Sequence, residues 1–341
     1  MKKIQLTGLA LATLAVCAPA WAQSTVTIYG AVDMAVGKDF QVDALQIRPG
    51  KTGLQSASRV NLQDSYVGFK GVEDLGGGLQ VGFQLEQGLD ASNGIADPEG
   101  AFARGANLWM GGGWGRLTLG RALTPSYNAM AAWDLMGAGN HSVAINTFGG
   151  VGFNRYKRQS NQISYRTPQL GGLVVEAAYV PKDDNMFEGA NRSKFDLGAV
   201  YKSGPLTVGA AYNKVSGQEA NFATGAKYQY QNFEFAVGYF QARNGQFYDD
   251  VTYQRVTNGV IGTNGVTLGA KASWDRFSAG FDIARETKSE YTVGSSRFDS
   301  KKQTNFVING TYALSKRTQA YVNYLRWAGV NNYGVGLSHS F

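Results

Sequence analysis

Apolar residues occupy every second position in segment after segment of this chain. Val26, Ile28 and Val32 alternate with Thr27, Tyr29 and Asp33, and Leu79, Val81, Phe83 and Leu85 alternate with Gln80, Gln84 and Glu86. A period of two sends neighbouring side chains to opposite faces of a strand. A soluble sandwich would alternate too, but its inner faces must be apolar. Here the second face is Gln, Asn, Thr, Glu, Lys and Arg, too polar for a dry core between sheets. If the apolar face meets lipid, the polar face must meet water, and a closed barrel is the strand arrangement a bilayer tolerates.

The alternation recurs at Val67 and Phe69, Leu108 and Met110, Leu117 and Leu119, Ile163 and Tyr165, Leu173 to Tyr179, Phe195 to Tyr201, and Leu206 to Ala210. It continues at Phe233 to Val237, Val266 and Leu268, Phe277 to Ile283, and Phe306 to Tyr312, and ends in Gln319 to Trp327 and Asn331 to Phe341. About sixteen strands of roughly ten residues are expected, an even number in the range of single-chain barrels. Tight connections such as 71–78, 111–115, 168–172, 203–205 and 314–316 alternate with long ones at 37–58, 90–100, 120–158, 243–262 and 288–300. Short periplasmic turns and long outer loops give this rhythm. Aromatics at strand ends are expected to form interfacial girdles: Phe69, Trp114, Tyr165, Tyr201, Trp274, Tyr312 and Phe341 by the short turns, and Tyr179, Tyr212 and Trp327 by the long loops. The fold class expected is all-β, an antiparallel transmembrane barrel.

The first residues set the compartment. Lys2 and Lys3 precede an apolar stretch from Leu6 to Val16, and Ala20-Trp21-Ala22 forms a small-residue cleavage site before Gln23. Residues 1–22 are read as an export signal and 23–341 as the barrel domain. A lipid-attachment reading at Cys17 competes weakly, because Val16 stands where a small residue is wanted. Cleavage would remove the one cysteine, so no disulfide or thiolate chemistry is expected, and would leave 30 basic residues against 25 acidic. Beyond the signal no apolar run reaches the ~18 residues of a membrane helix. The charge is mild and scattered, which argues against nucleic acid as a partner. The 45 glycines and 18 tyrosines and 18 phenylalanines suit short strands, tight turns and aromatic belts.

Gly120 to Arg158 is the longest stretch without strand periodicity, and a structureless loop of this length in a compact domain is usually functional. It holds Pro125, Tyr127, Trp133, Asp134, His141 and a glycine-rich exit at Gly149, Gly150 and Gly152. It is expected to fold into the lumen and narrow a pore.

Several stretches carry a family resemblance. Thr25 to Asp33 (TVTIYGAVD), Gly71 to Leu79 (GVEDLGGGL), Phe83 to Glu86, Leu117 to Arg121, Leu314 to Thr318 and Val335 to Phe341 resemble the general porins of Burkholderia, Bordetella and Neisseria relatives, over the whole mature chain. The resemblance implies a homotrimer of sixteen-stranded barrels in the outer membrane, a third outer loop folded inward, and passive diffusion of small hydrophilic solutes and ions. It also implies that Phe341, with Leu337, forms the terminal signal read by the outer-membrane assembly machinery. Small residues at Gly30 and Ala31 add a reason to expect close barrel contact. The chain departs from the family in having Tyr66 where Arg is usual, and a single acid, Asp134, in the third loop.

Glu86, Arg104 and Arg158 lie eight to ten residues above their nearest short turns, which places them at one height, about 20 to 25 Å up the barrel. Arg158 shares the parity of Gln162 and Ser164 and so faces inward. Arg104 shares the parity of Leu108 and Met110, and faces inward only past a bulge or above the lipid. With Tyr66, Tyr127 and Asp134 these residues form the expected constriction, and Lys51 and Arg59 a vestibule above it. The excess of positive charge predicts weak anion preference. No catalytic role is expected of His141 and Ser142, since a pair adjacent in sequence cannot normally also align an orienting acid. No cofactor or metal is expected: zinc is disfavoured by the scarcity of His and Cys, and Gly76–Gly78 and Gly111–Gly113 lack the Gly-Lys-Ser/Thr that holds phosphates.

Overall fold

The computed structural model describes residues 25–341 apart from 44–45, 98–99, 153–156, 183–191 and 249–254. The expected export signal lies outside the described residues. The strands are β1 (Thr25–Asp43), β2 (Gln46–Gln55), β3 (Ser65–Gly76), β4 (Leu79–Asp90), β5 (Ile95–Ala96), β6 (Gly105–Gly112), β7 (Gly115–Leu123), β8 (Arg158–Arg166), β9 (Leu173–Val180) and β10 (Lys194–Ser203). They continue as β11 (Leu206–Val215), β12 (Ala220–Tyr230), β13 (Phe233–Tyr248), β14 (Arg255–Trp274), β15 (Phe277–Val293), β16 (Ser296–Asp299), β17 (Thr304–Ala313), β18 (Thr318–Trp327) and β19 (Val330–Ser340). Two helices, α1 (Pro125–Trp133) and α2 (Val143–Gly152), lie between β7 and β8.

β2, β5 and β16 are additions in outer loops, each paired to the strand before it, and the remaining sixteen strands close into one antiparallel barrel. Closure runs through β1 and β19, with Ala31 opposite Ser340 and Lys38 opposite Tyr333. Phe341 finishes the seam: its N–H donates to the Gly30 carbonyl at 3.0 Å, and the Gly30 N–H donates back to the Phe341 carbonyl. The short turn between β3 and β4 is glycine-made. Gly76, Gly77 and Gly78 take φ of +82°, +62° and +80°, where any other residue is strained.

The expected faces are present. Ile28, Leu268 and Val335 are 62%, 58% and 63% exposed on the outer surface, whereas Asn213, Asn323 and Asn332 are fully buried on the inner one. Beside the short turns Trp274 stacks on Phe277 and meets Phe233 edge to face, and Trp114 stacks on Tyr165.

The expected sixteen strands are present, and two expectations about the elements are corrected. Fifteen segments are named above; the sixteenth is β12, whose middle outer positions are only Thr224 and Ala226, so its alternation is faint. Two stretches taken as long loops, 243–262 and 37–58, are largely paired strand. They stand above the lipid, where no apolar face is needed, so the pairing persists after the period-two signal has gone. Trp327 is not a girdle residue: it packs from the inner side, beneath the Arg59 guanidinium at 4.1 Å.

Candidate pore constriction

The segment between β7 and β8 is helical rather than structureless. Thr124 caps α1, its hydroxyl accepting from the Tyr127 N–H, and Pro125 starts the helix, where its missing N–H costs nothing. Pro125, Ser126, Ala129, Met130 and Trp133 are the buried residues of this helix, and from Ser126 onward their spacing of three and four makes one helical face. The glycines read as an exit, Gly149, Gly150 and Gly152, belong to α2.

Both helices sit inside the barrel, because what they cover is the inward parity of β10 to β15. A Cβ on Gly198 would stand 2.3 Å from the Pro125 carbonyl oxygen, and one on Gly209 would stand 2.4 Å from that of Ala129. The Trp133 indole occupies the space above both Gly225 and Gly238. Gly209 pairs with Gly225, and Gly225 with Gly238, so three strands form one trough in register. The loop therefore meets bare backbone. At its start the Ser126 N–H and hydroxyl both donate to Asp196, at 2.7 and 2.6 Å.

Across the lumen from this seat the charged residues gather. The Arg104 guanidinium donates from Nε to Glu86 at 2.8 Å and from Nη1 to Asp64 at 2.7 Å, and lies 4.4 Å above the Tyr66 ring. Its parity conflict dissolves, because β6 begins only at Gly105 and Arg104 sits in the preceding turn. Glu86 also accepts from the Tyr29 hydroxyl at 3.0 Å. Arg158 approaches Glu86 only to 4.0 Å, and its buried Nε has no hydrogen-bond partner. Tyr127 borders the same open space, together with Lys157, Asp64 and the tip of the loop at Leu135–His141.

Two expected site residues stand elsewhere. Asp134 is corrected: it is buried inside the loop, where Ser142 donates to it at 2.6 Å and the Ala138 N–H at 2.6 Å, so it braces the link between helices instead of facing the pore. An acid at a helix C-cap with two donors aimed at it is held by those bonds rather than by water. Lys51 is exposed on β2, away from the cluster. Arg59, placed in a vestibule, borders the same recess as Asp64, Arg104 and Arg158. His141 and Ser142 point to different partners, Ser142 to Asp134 and His141 to the Asn61 carbonyl at 3.4 Å.

A sixteen-stranded barrel, closed on itself, with a helical loop seated on one inner wall and arginines on the other, is the architecture of a constricted pore. The model of the Gram-negative porin family matches residues 8–328. This chain belongs to that family. Among its relatives, outer membrane porin protein 32 of Delftia acidovorans is 30% identical over 334 residues, covering 92% of this chain and 87% of that protein. An outer membrane porin of Bordetella pertussis is 27% identical over the whole of both. The solved structure of an anion-selective porin from Comamonas acidovorans superposes with a TM-score of 0.67 at 23% identity, covering 94% of this chain and 100% of that one, a likeness of fold. The chain is an outer-membrane diffusion channel.

Within this porin, sequence reasoning passed over Asp64 and Lys157. Asp64 is two residues before Tyr66 and shares its inward parity, which was signal enough. It accepts from Asn140 at 2.7 Å as well as from Arg104, tying the loop tip to the wall. Lys157 adjoins Arg158 in sequence and lines the open lumen beside it.

Proposed function

We propose that this porin passes small hydrophilic solutes with a weak preference for anions. The carrying observation is the imbalance of commitment at the constriction. Of the three acids there, Glu86 and Asp64 are bound at 2.8 Å or less by one guanidinium, Arg104, while Asp97 borders the recess above them. Arg158 and Lys157 are left as positive charge facing the water, and a narrow lumen with low-dielectric walls makes such a charge felt by passing ions. The porin from Comamonas acidovorans is itself described as anion-selective. Reversal potentials in a potassium chloride gradient test the reading: Arg158→Ala should lower the anion-to-cation permeability ratio. A cation-selective wild type, or a ratio unmoved by the substitution, overturns it.

The same reading takes residues 1–22 as the export signal, Phe341 and Leu337 as the assembly signal, and the native state as a homotrimer in outer-membrane lipid. The apolar outer face of β1, exposed at Val26, Ile28, Val32 and Val36, supports lateral contact. The small residues do not add to it: Ala31 faces inward and is fully buried, and the Phe341 ring fills the space beside Gly30. An unheated gel should show a band near three times the chain mass. A monomer under the mildest detergents counts against the trimer alone.

A further inference from the structure

Below the constriction the wall of β4 to β9 carries a second basic group that the selectivity reading does not use. Arg116 and Arg166 are register partners on β7 and β8, both of inward parity. Directly opposed residues have Cβ atoms about 5 Å apart, and like charges there repel. Glu176, next along the row on β9, accepts from Arg166 at 3.4 Å and from the Asn128 amide at 2.9 Å. Among the described residues Arg116 has no ion pair, and its buried Nε has no hydrogen-bond partner. Its guanidinium carbon lies 4.0 Å from the centre of the Trp109 indole, which itself lies flat on the backbone, since a Cβ at Gly82 would stand 2.5 Å from the ring. The recess in front, floored by Gln84, Asn107 and Ser164, runs up to Arg158.

The geometry points to a docking site for flat carboxylates, of the arenecarboxylate class, between Arg116 and Arg166. A carboxylate pairs edge-on with a guanidinium and lies in its plane. At 4.0 Å from the indole centre the guanidinium carbon is close enough for face-to-face stacking, and in that arrangement the plane runs along the barrel wall. A planar acid continues the layer and leaves the lumen open to water, while a saturated ring of equal size projects from it. The outer edge of the Arg116 guanidinium supplies donors that no acid takes up, and the opposed Arg166, which has Glu176 at 3.4 Å, gains a second counter-charge. Arg158, at the upper end of the recess, delivers anions to the site, so the inference rests on the anion-favouring constriction for supply and on Arg116 for binding.

The test uses the full-length porin in planar bilayers. Conductance is measured against concentration for sodium benzoate, sodium cyclohexanecarboxylate and sodium chloride. The benzoate conductance should saturate, while the other two rise in proportion. In Arg116→Ala the half-saturating benzoate concentration should rise about tenfold or more, the loss expected for one charge-assisted contact, and Arg116→Lys should recover little because it lacks the planar fork. Benzoate and cyclohexanecarboxylate curves that coincide in wild type overturn the inference without any variant. Saturation that persists unchanged in Arg116→Ala overturns it as well. Reversal potentials in potassium chloride on the same membranes keep the two readings apart: a non-selective pore with saturable benzoate conductance refutes the constriction, and an anion-selective pore without saturation refutes the site.

Discussion

On β10 to β13 the inward positions at loop height include Gly198, Gly209, Gly225 and Gly238, and helices cover them. On β3 to β8 the inward positions include Tyr66, Gln84, Glu86, Trp109, Arg116 and Arg166; side chains rather than helices cover the glycines Gly68 and Gly82, and Gln84, Glu86, Arg116 and Arg166 line an open recess. Both walls obey one alternation, so parity alone separates lipid from lumen but does not say which part of the lumen is wet. Side-chain size does. Where the inner face has no side chains, another element can lie on the backbone and drive water out; where it has long charged ones, nothing can approach.

The largest effect should come from removing the part that fits the bare wall. Trp133 is 2% exposed, and truncating a buried aromatic of this kind costs about 3–5 kcal/mol. Trp133→Ala should loosen the loop, seen as protease cleavage between the two helices and a lower unfolding midpoint in urea with lipid vesicles. Trp274, 47% exposed at the girdle, is the matched control and should cost much less on truncation. Equal losses would mean that the glycine trough is no special seat.

A second substitution separates bracing from selectivity. Asp134→Ala removes the acceptor for Ser142 and for the Ala138 N–H, each bond to a charged group being worth about 1.5–3 kcal/mol. The loop should become more sensitive to protease, while the reversal potential stays at the wild-type value. A shift in ion preference comparable to that from Arg158→Ala would return Asp134 to the pore.

The barrel was legible because each strand must solve the same problem, one face in lipid, and the answer repeats through the sequence. β12 escaped because Thr224 and Ala226 blur its outer face, and the paired tops of β13 and β14 escaped because no lipid reaches them. Within the site, Glu86, Arg104 and Arg158 could be brought to one height by counting from the turns. What counting could not supply was the partition of acids among cations. That Arg104 takes both Glu86 and Asp64 depends on side-chain reach across strands distant in sequence. The loop helix was in principle readable, since Thr124, Pro125 and the 126–129–130–133 face are a start signal followed by a helical stripe. Asp134 was misplaced because a lone acid in a pore loop suggests a pore charge, whereas its hydrogen bonds make it a brace.

The smallest effect concerns the open side at alkaline pH. Lys157 is outside the strands and half-buried among Asp64, Arg59, Arg158 and the Tyr127 ring. Burial lowers its pKa to about 8, the positive charge of Arg59 and Arg158 acting the same way and Asp64 and Asp134 against it. An amine is charged below its pKa and neutral above, and the guanidiniums around it do not titrate. Between pH 7 and pH 9 the constriction should therefore lose close to one positive charge, and the anion-to-cation ratio should fall with a midpoint near 8. His141, on the covered side, does not interfere: burial pushes its pKa down to about 4, so it is neutral throughout this range. Lys157→Arg should hold the ratio flat to pH 9, and the fall in wild type should be smaller than that from Arg158→Ala, since Arg158 is charged at every pH tested. A flat wild-type profile would show that water in the lumen solvates Lys157 fully and that the wall beside it is wetter than its burial implies. A ratio that rises with pH would have the wrong sign for any lysine and would assign the titration to another group.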